Sequence, residues 1–320
     1  MKFTEEQLKK YALPISQTEE ERCKNALRMV RDAMKLIGYS DGDKEIRLYE
    51  SDTYAYSLEI RSNDNKELTL LVQGSYANNT NVRTQSDVDL AVILESTFIP
   101  EYRAGVTREN YGFTEGTFTA KALKDEVQQA LNAKFNNQGV ERGDKSIKVS
   151  GNSYRVDADV VPCYRLRDYR NDYTFSSMNY VGGIEIMPDS GGKIRNFPEQ
   201  HIKNGRNKNN NTNYYFKKHV RIMKKIKSIM EENGYNSAKK VSSFGVESLL
   251  WNIPNEYYAK YSIMRYTFDE LVQFLFNNQL SIGKFKEVNG IKSMFEDNQK
   301  GVYDYISFIK GIKSFYQYDI

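Results

Sequence analysis

The chain has 320 residues, enough to bury a substantial core and better suited to two closely joined lobes than to one small domain. Its 46 basic and 42 acidic residues leave a formal charge of +4, which excludes an overwhelming electrostatic commitment to nucleic acid and asks only for a local basic pocket if the ligand is a small anion. A mean hydropathy of −0.68, no apolar run near the roughly 20 residues that span a membrane, and a polar start at Met1-Lys2-Phe3-Thr4-Glu5-Glu6 exclude a membrane protein and a secretory leader and set the expected location as cytoplasmic.

In chain order, helical periodicity predicts a helix over residues 18–37, with Thr18 and Glu21 as a capping box and Leu27, Val30, Met34 and Ile37 as one apolar stripe. Residues 46–60, broken near Ser51-Asp52, and 68–72 read as strands, 118–135 as an amphipathic helix and 146–161 as paired core strands. Gly182-Gly183-Ile184-Glu185-Ile186 and Gly191-Gly192-Lys193-Ile194 read as a hairpin that turns at Pro188 to Ser190. The polar run 204–211 reads as a loop leading to a helical region, in which Thr212 caps a basic helix and residues 268–276 and 303–315 show helical spacing.

The chemistry concentrates in Gly74-Ser75 and in Ser86-Asp87-Val88-Asp89-Leu90-Ala91-Val92-Ile93-Leu94. Side chains alternate along a strand, so Asp87 and Asp89 share one face while Val88, Leu90, Val92 and Leu94 enter a core from the other. Two such close carboxylates repel unless hard cations sit between them, and Mg²⁺ favours carboxylates, water and phosphate oxygens together. The preceding strand delivers Gly74 and Ser75 at its end, where backbone N–H groups and a hydroxyl can face phosphate. A later strand, Tyr154-Arg155-Val156-Asp157-Ala158-Asp159-Val160-Val161-Pro162, repeats the alternation with Asp157 and Asp159. In-line phosphoryl transfer with two metals needs bridging carboxylates and one more on the ion beside the attacking hydroxyl, which Asp87, Asp89 and Asp159 supply.

Further on, Val220, Met223, Ile226 and Met230 form an apolar arc, and Lys217, Arg221 and Lys224 a separate basic one. An ordinary solvated basic face explains the latter as well as phosphate binding does. Val241-Ser242-Ser243-Phe244-Gly245-Val246-Glu247 follows, in which Ser243 reads as a helix N-cap that could also bond phosphate, and Phe244 taken alone as core.

These residues resemble the nucleotidyltransferase core of DNA polymerase β and, more narrowly, the bacterial cyclic GMP-AMP synthase-like enzymes, the CD-NTases. The resemblance rests on Gly74-Ser75-Tyr76, Ser86-Asp87-Val88-Asp89-Leu90, Asp159-Val160-Val161-Pro162 and the segments 220–227 and 241–247. It implies an α+β fold: a polymerase β-like core of mixed sheet and N-terminal spine helix over residues 1–203, and a C-terminal helical lobe over 204–320, with the active site in the cleft. It also implies Asp159 as the third metal ligand, with Asp157 in reserve, and donor-nucleotide contacts from Lys224, Ser243 and Phe244, which join Gly74 and Ser75 of the turn and Arg221 of the basic arc as nucleotide-binding candidates. The implied activity joins NTPs into a cyclic oligonucleotide second messenger for antiphage signalling, using two Mg²⁺ ions, with Mn²⁺ as an alternative. A separate effector senses the product, and the chain is expected to act as a monomer. Rival readings are a linear oligonucleotide synthase, an RNA or small-molecule nucleotidyltransferase, and a catalytically idle nucleotide-binding protein.

Two cysteines, Cys23 and Cys163, and two histidines, His201 and His219, are too scattered for a zinc site. The zinc-bearing insertion through which the animal relative binds DNA is therefore not expected, nor is a DNA activator. The 24 tyrosines are read as packing residues, and Lys203, Arg206 and Lys208 as a solvated loop.

Overall fold

A computed structural model describes residues 2–42, 46–48, 52–82, 87–116, 119–296 and 301–318. The strands are β1 (Lys2–Phe3), β2 (Tyr39–Asp41), β3 (Ile46–Arg47), β4 (Tyr56–Ser62), β5 (Glu67–Gln73), β6 (Val88–Glu101), β7 (Val140–Arg142), β8 (Ile147–Val149), β9 (Ala158–Asp168), β10 (Val181–Ile186), β11 (Ile194–Asn196) and β12 (Gln317–Tyr318). The helices are α1 (Glu5–Tyr11), α2 (Gln17–Lys35), α3 (Gly74–Ala77), α4 (Ala120–Phe135), α5 (Pro198–Asn210), α6 (Phe216–Glu232), α7 (Asn236–Lys239), α8 (Ser243–Trp251), α9 (Glu256–Ala259), α10 (Met264–Asn277) and α11 (Gly301–Phe315). They fall into two compact units, one formed by residues 17–77 and 87–199, the other by residues 1–16, 78–86 and 200–320.

The first unit is built on one mixed sheet of order β11-β10-β9-β6-β5-β4-β2, with β3 against β4, β8 against β9 and β7 against β8. Its pairings are antiparallel except for β6 beside β9, which run parallel. The continuous apolar run of β6 marks it as a central strand covered on both faces. Val88, Leu90, Val92 and Leu94 are fully buried on one face; α2 packs against β5 and β6 and α4 against β9, with Leu27, Val30, Leu123, Val127 and Leu131 buried. On the other face Ala91 and Ile93 join Leu71, Val161, Cys163, Ile184 and Ile186 in a separate apolar cluster.

Helix α2 starts one residue before the expected Thr18, which therefore lies inside its first turn. Its stripe of Leu27, Val30 and Met34 is buried, and Ile37 lies beyond its end. The expected start of α4 at Phe118, like Ser51 and Ser86, lies outside the described residues. The helix itself is capped by Thr119, whose Oγ1 accepts from the Ala122 N–H at 3.2 Å. The hairpin forms as expected, with Ile186 paired to Ile194.

Among its described residues the second unit is helical apart from the parallel pair β1 and β12 and an isolated bridge between Lys286 and Ser293. Its core gathers Val220, Met223, Ile226 and Met230 of α6 with Leu249 and Leu250 of α8, Phe268 and Leu271 of α10, Phe308 and Ile312 of α11, and Phe3 and Leu8 from the chain start.

Three expectations are corrected in this unit, and one of two open readings is removed. Residues 204–210 form the second half of α5 rather than a loop. Buried Ile202 and Asn209 anchor that helix, and Asn204 Nδ2 donates to Val288 O at 2.9 Å, so tertiary packing overrides a composition poor in helix formers. The N-cap of α8 is Ser242, whose Oγ accepts from the Gly245 N–H at 2.9 Å; Ser243 is the first helical residue. The basic arc of α6 is not solvated either, because Lys217, Arg221 and Lys224 are all buried.

The N-cap of α6 is Tyr215 rather than the expected Thr212, which lies three residues earlier and still braces the start of the helix. Thr212 Oγ1 accepts from the Phe216 N–H at 3.1 Å, while Asn209 Oδ1 accepts from the Lys217 N–H at 3.0 Å.

Candidate functional site

The acidic face of the first unit follows from strand register. Pairing of β5 with β6 sets Gln73 opposite Asp89, so the next residue, Gly74, turns directly beneath the Asp89 carboxylate. Gly74 has φ of +69°, and a Cβ there would stand 2.1 Å from Asp89 Oδ2, so the site needs glycine both for its backbone angle and for its lack of a side chain. From Gly74 the chain enters the short helix α3, which carries half-buried Ser75 and buried Tyr76 and Ala77. A left-handed residue followed by a helical turn points successive N–H groups to one side, a geometry suited to an anion.

The parallel register of β6 and β9 then sets Asp159 directly beside Asp89. Ser146 Oγ donates to Asp159 Oδ1 at 3.4 Å. Asp87 stands just before β6, exposed, with Lys148 Nζ 3.7 Å from its Oδ2. Asp157 is engaged elsewhere: it precedes β9, its side chain accepts from the Gly151 N–H, and its carbonyl accepts from the Val88 N–H at 2.9 Å.

Burial, then the charges of Asp159 and Asp87, push the Asp89 carboxyl up to about 7. Burial and two like charges both disfavour the ionised form of Asp89, and a bound cation would relieve them. Among the described residues no three His, Cys, Asp or Glu side chains converge tightly enough to hold an ion by themselves. Carboxylate oxygens are the donors that hard cations such as Mg²⁺ take, together with water and phosphate.

Comparison with known proteins agrees with this geometry. The family model for the cGAS/DncV-like nucleotidyltransferase C-terminal helical domain matches residues 203–317, and that for the nucleotidyltransferase domain matches residues 56–181. The cyclic GMP-AMP synthase CdnE03 of Staphylococcus schleiferi is 45% identical over 319 residues, covering 99% of this chain and 98% of its own. The chain belongs to the CD-NTase family.

A second relative of this CD-NTase is the cyclic dipyrimidine nucleotide synthase CdnE of Legionella pneumophila, 35% identical over 92% of this chain and 91% of its own. Among solved structures, the Elizabethkingia meningoseptica CdnE cyclic dinucleotide synthase with GTP and Apcpp superposes with a TM-score of 0.73 at 28% identity, covering 98% of both chains. The protein is accordingly a nucleotidyltransferase with a polymerase β-like α+β core and a C-terminal helical domain. No helix among its described residues is long and apolar enough to cross a membrane.

The helical unit holds the other residues singled out in the sequence. Lys224 Nζ donates to Glu247 Oε2 at 3.1 Å and to Thr80 Oγ1 at 3.2 Å. Glu247 also accepts from Thr80 at 2.7 Å, and its Oε1 meets His201 Nε2 at 2.9 Å. Burial opposes the charge of Glu247, but Lys224 and His201 hold its carboxyl well below the usual carboxylate range. Arg221 is spent on backbone, donating from Nε to Ala12 O at 2.8 Å and from Nη1 to Asn79 O.

Ser243 is exposed, and Phe244, 37% exposed, stands edge-on to His201 with centroids 5.1 Å apart. Sequence reasoning missed Glu247 and Lys148. A lone acid in an apolar helix was the available signal for Glu247. For Lys148 it was the alternation Ser146-Ile147-Lys148-Val149, which aims Ser146 and Lys148 to one face.

Proposed function

We propose that this CD-NTase joins nucleoside triphosphates into a cyclic oligonucleotide that serves as a second messenger in antiphage signalling, read by a separate effector. The observation that carries the reading is the pairing of Asp89 with Asp159 across parallel strands, directly above the Gly74 turn. Asp87, Asp89 and Asp159 would hold two Mg²⁺ ions, or Mn²⁺ in their place, together with water and substrate phosphate. When bound, such ions neutralise phosphate charge and lower the pKa of an attacking ribose hydroxyl.

The chain's own residues do the positioning. Asp159, braced by Ser146, marks the side of the attacking hydroxyl. Ser75 and the N–H groups of the Gly74 turn receive the donor triphosphate, so that pyrophosphate leaves in line. Ser243 and Phe244, both reaching solvent, contact the donor phosphate and base. Lys224 and Arg221 serve the donor nucleotide from buried positions, through their hold on Thr80 and Asn79. The enzyme acts in the cytoplasm as a monomer and needs no DNA activator.

Incubation with mixed NTPs and Mg²⁺, followed by mass analysis before and after phosphatase treatment, tests the proposal. A product without terminal phosphate that survives phosphatase is expected. Exclusively phosphatase-sensitive products would replace the reading with a linear synthase. NTP binding without pyrophosphate release, in Mg²⁺ or Mn²⁺, would replace it with an idle nucleotide-binding protein.

A further inference from the structure

The order of strands gives the acidic face a direction. Gly74 and Ser75 follow β5, Asp87 and Asp89 open β6, Asp159 opens β9, and β8 lies beyond it with Lys148 in register with Asp159. Strands are about 4.8 Å apart, so the backbone of Lys148 lies three strands, roughly 14 Å, from the phosphate turn. Residues paired in register share a face, and the Lys148 ammonium accordingly reaches over it to within 3.7 Å of Asp87 Oδ2. That separation is too long for a hydrogen bond, so the ammonium does not spend a donor there.

In-line transfer requires the attacking hydroxyl and the leaving pyrophosphate on opposite sides of the reacting phosphorus. With the leaving group at Ser75, the acceptor enters from the side of β9 and β8. We infer that Lys148 is a substrate contact on the acceptor side, binding a phosphate of the nucleotide whose hydroxyl attacks. The inference rests on the nucleotidyltransferase reading of this face and adds to it a cation dedicated to the acceptor rather than to the donor. A Lys suits the task as a flexible point charge, able to follow a triphosphate in a first transfer and a linking phosphodiester in a second. Half exposed on a short strand, it contributes little to the core, so its replacement leaves folding intact.

The test uses the full chain with a 2′,3′-dideoxynucleoside triphosphate, which can donate but cannot accept, and an α,β-methylene NTP, which can accept but cannot donate. KM for each is measured in wild type, Lys148→Met and Lys148→Arg. A charge-assisted contact to phosphate is worth about 10- to 100-fold in affinity. Lys148→Met is therefore expected to raise the acceptor KM by that factor, to leave the donor KM within about threefold, and to keep the melting temperature of wild type; Lys148→Arg restores most of the acceptor affinity. An unchanged acceptor KM, an equal rise in both KM values, or a fall in kcat alone would overturn the inference while leaving the transferase reading in place. A wild-type chain that releases no pyrophosphate from any NTP mixture would overturn both.

Discussion

Asp89 concentrates the physical conflict of the molecule, since it is the carboxylate with two acidic neighbours and a backbone turn packed beneath it. A carboxyl raised on folding holds its proton more tightly in the folded chain than in the unfolded one, so its contribution to stability falls as pH climbs from about 4 toward 7. Asp89→Asn is thus expected to raise the melting temperature in EDTA by a few degrees at pH 8, with the gain shrinking as pH drops to 4.5. Mg²⁺ is expected to stabilise wild type at pH 8 more than the variant. Thermal unfolding across that pH range reads both effects, and a gain independent of pH would contradict this account of Asp89. Its neighbour Asp159 separates from Asp157 in the same terms: Asp157 is spent on the Gly151 and Val88 backbone, whereas Asp159 lies on the open face. Asp159→Asn is expected to lower kcat at least about 100-fold, on the scale of removing one preorganised electrostatic partner, and Asp157→Asn to lower it less than tenfold. The reverse pattern in a pyrophosphate-release assay would exchange their roles.

Elements were legible where one physical signal dominated. The apolar runs of β5, β6 and β9 could only be central strands, and alternation alone put Asp87 and Asp89 opposite the buried valines and leucines. What alternation could not give was the parallel pairing that brings Asp159 to Asp89, since pairing partners are set by long-range register. Helix α5 was hidden because its C-terminal half, rich in Asn with one Gly, has poor intrinsic propensity, and the helix is held by burial of Ile202 and Asn209. The buried cations of α6 were hidden for the opposite reason. Lys224 reads as a solvated charge until Glu247 and Thr80 are brought against it. Removing one partner of a buried pair strands the other, at a cost of about 3–5 kcal/mol. Lys224→Met is therefore expected to lower stability by that amount in a urea titration, whereas Ser243→Ala leaves stability within about 0.5 kcal/mol and raises the donor KM. A stable Lys224→Met chain would show that the Lys224–Glu247 pair does not secure this unit.

At the scale of the whole molecule, both units are discontinuous in sequence. Phe3 and Leu8 from the first 16 residues complete the core of the helical unit, and residues 78–82, just after Ala77, belong to the same unit and supply Asn79 and Thr80 to Arg221 and Lys224. A boundary drawn by composition at residue 203 could not register such returns, because a short polar excursion looks like any loop between strands. The fold class was nevertheless legible, since a strand-rich stretch followed by a helix-rich one survives these exchanges. Product identity is not fixed by membership of the family: relatives at 45% and 35% identity are named for a GMP-AMP product and for dipyrimidine products. The central claim concerns the carboxylates themselves and is tested most directly by co-crystallising the chain with a non-hydrolysable NTP and Mn²⁺ and recording anomalous scattering. Two manganese peaks are expected, both touching Asp87 and Asp89 and one also touching Asp159, with the triphosphate at Ser75. Absence of manganese from this face while the NTP is bound, or a peak ligated by Asp157 in place of Asp159, would contradict the account.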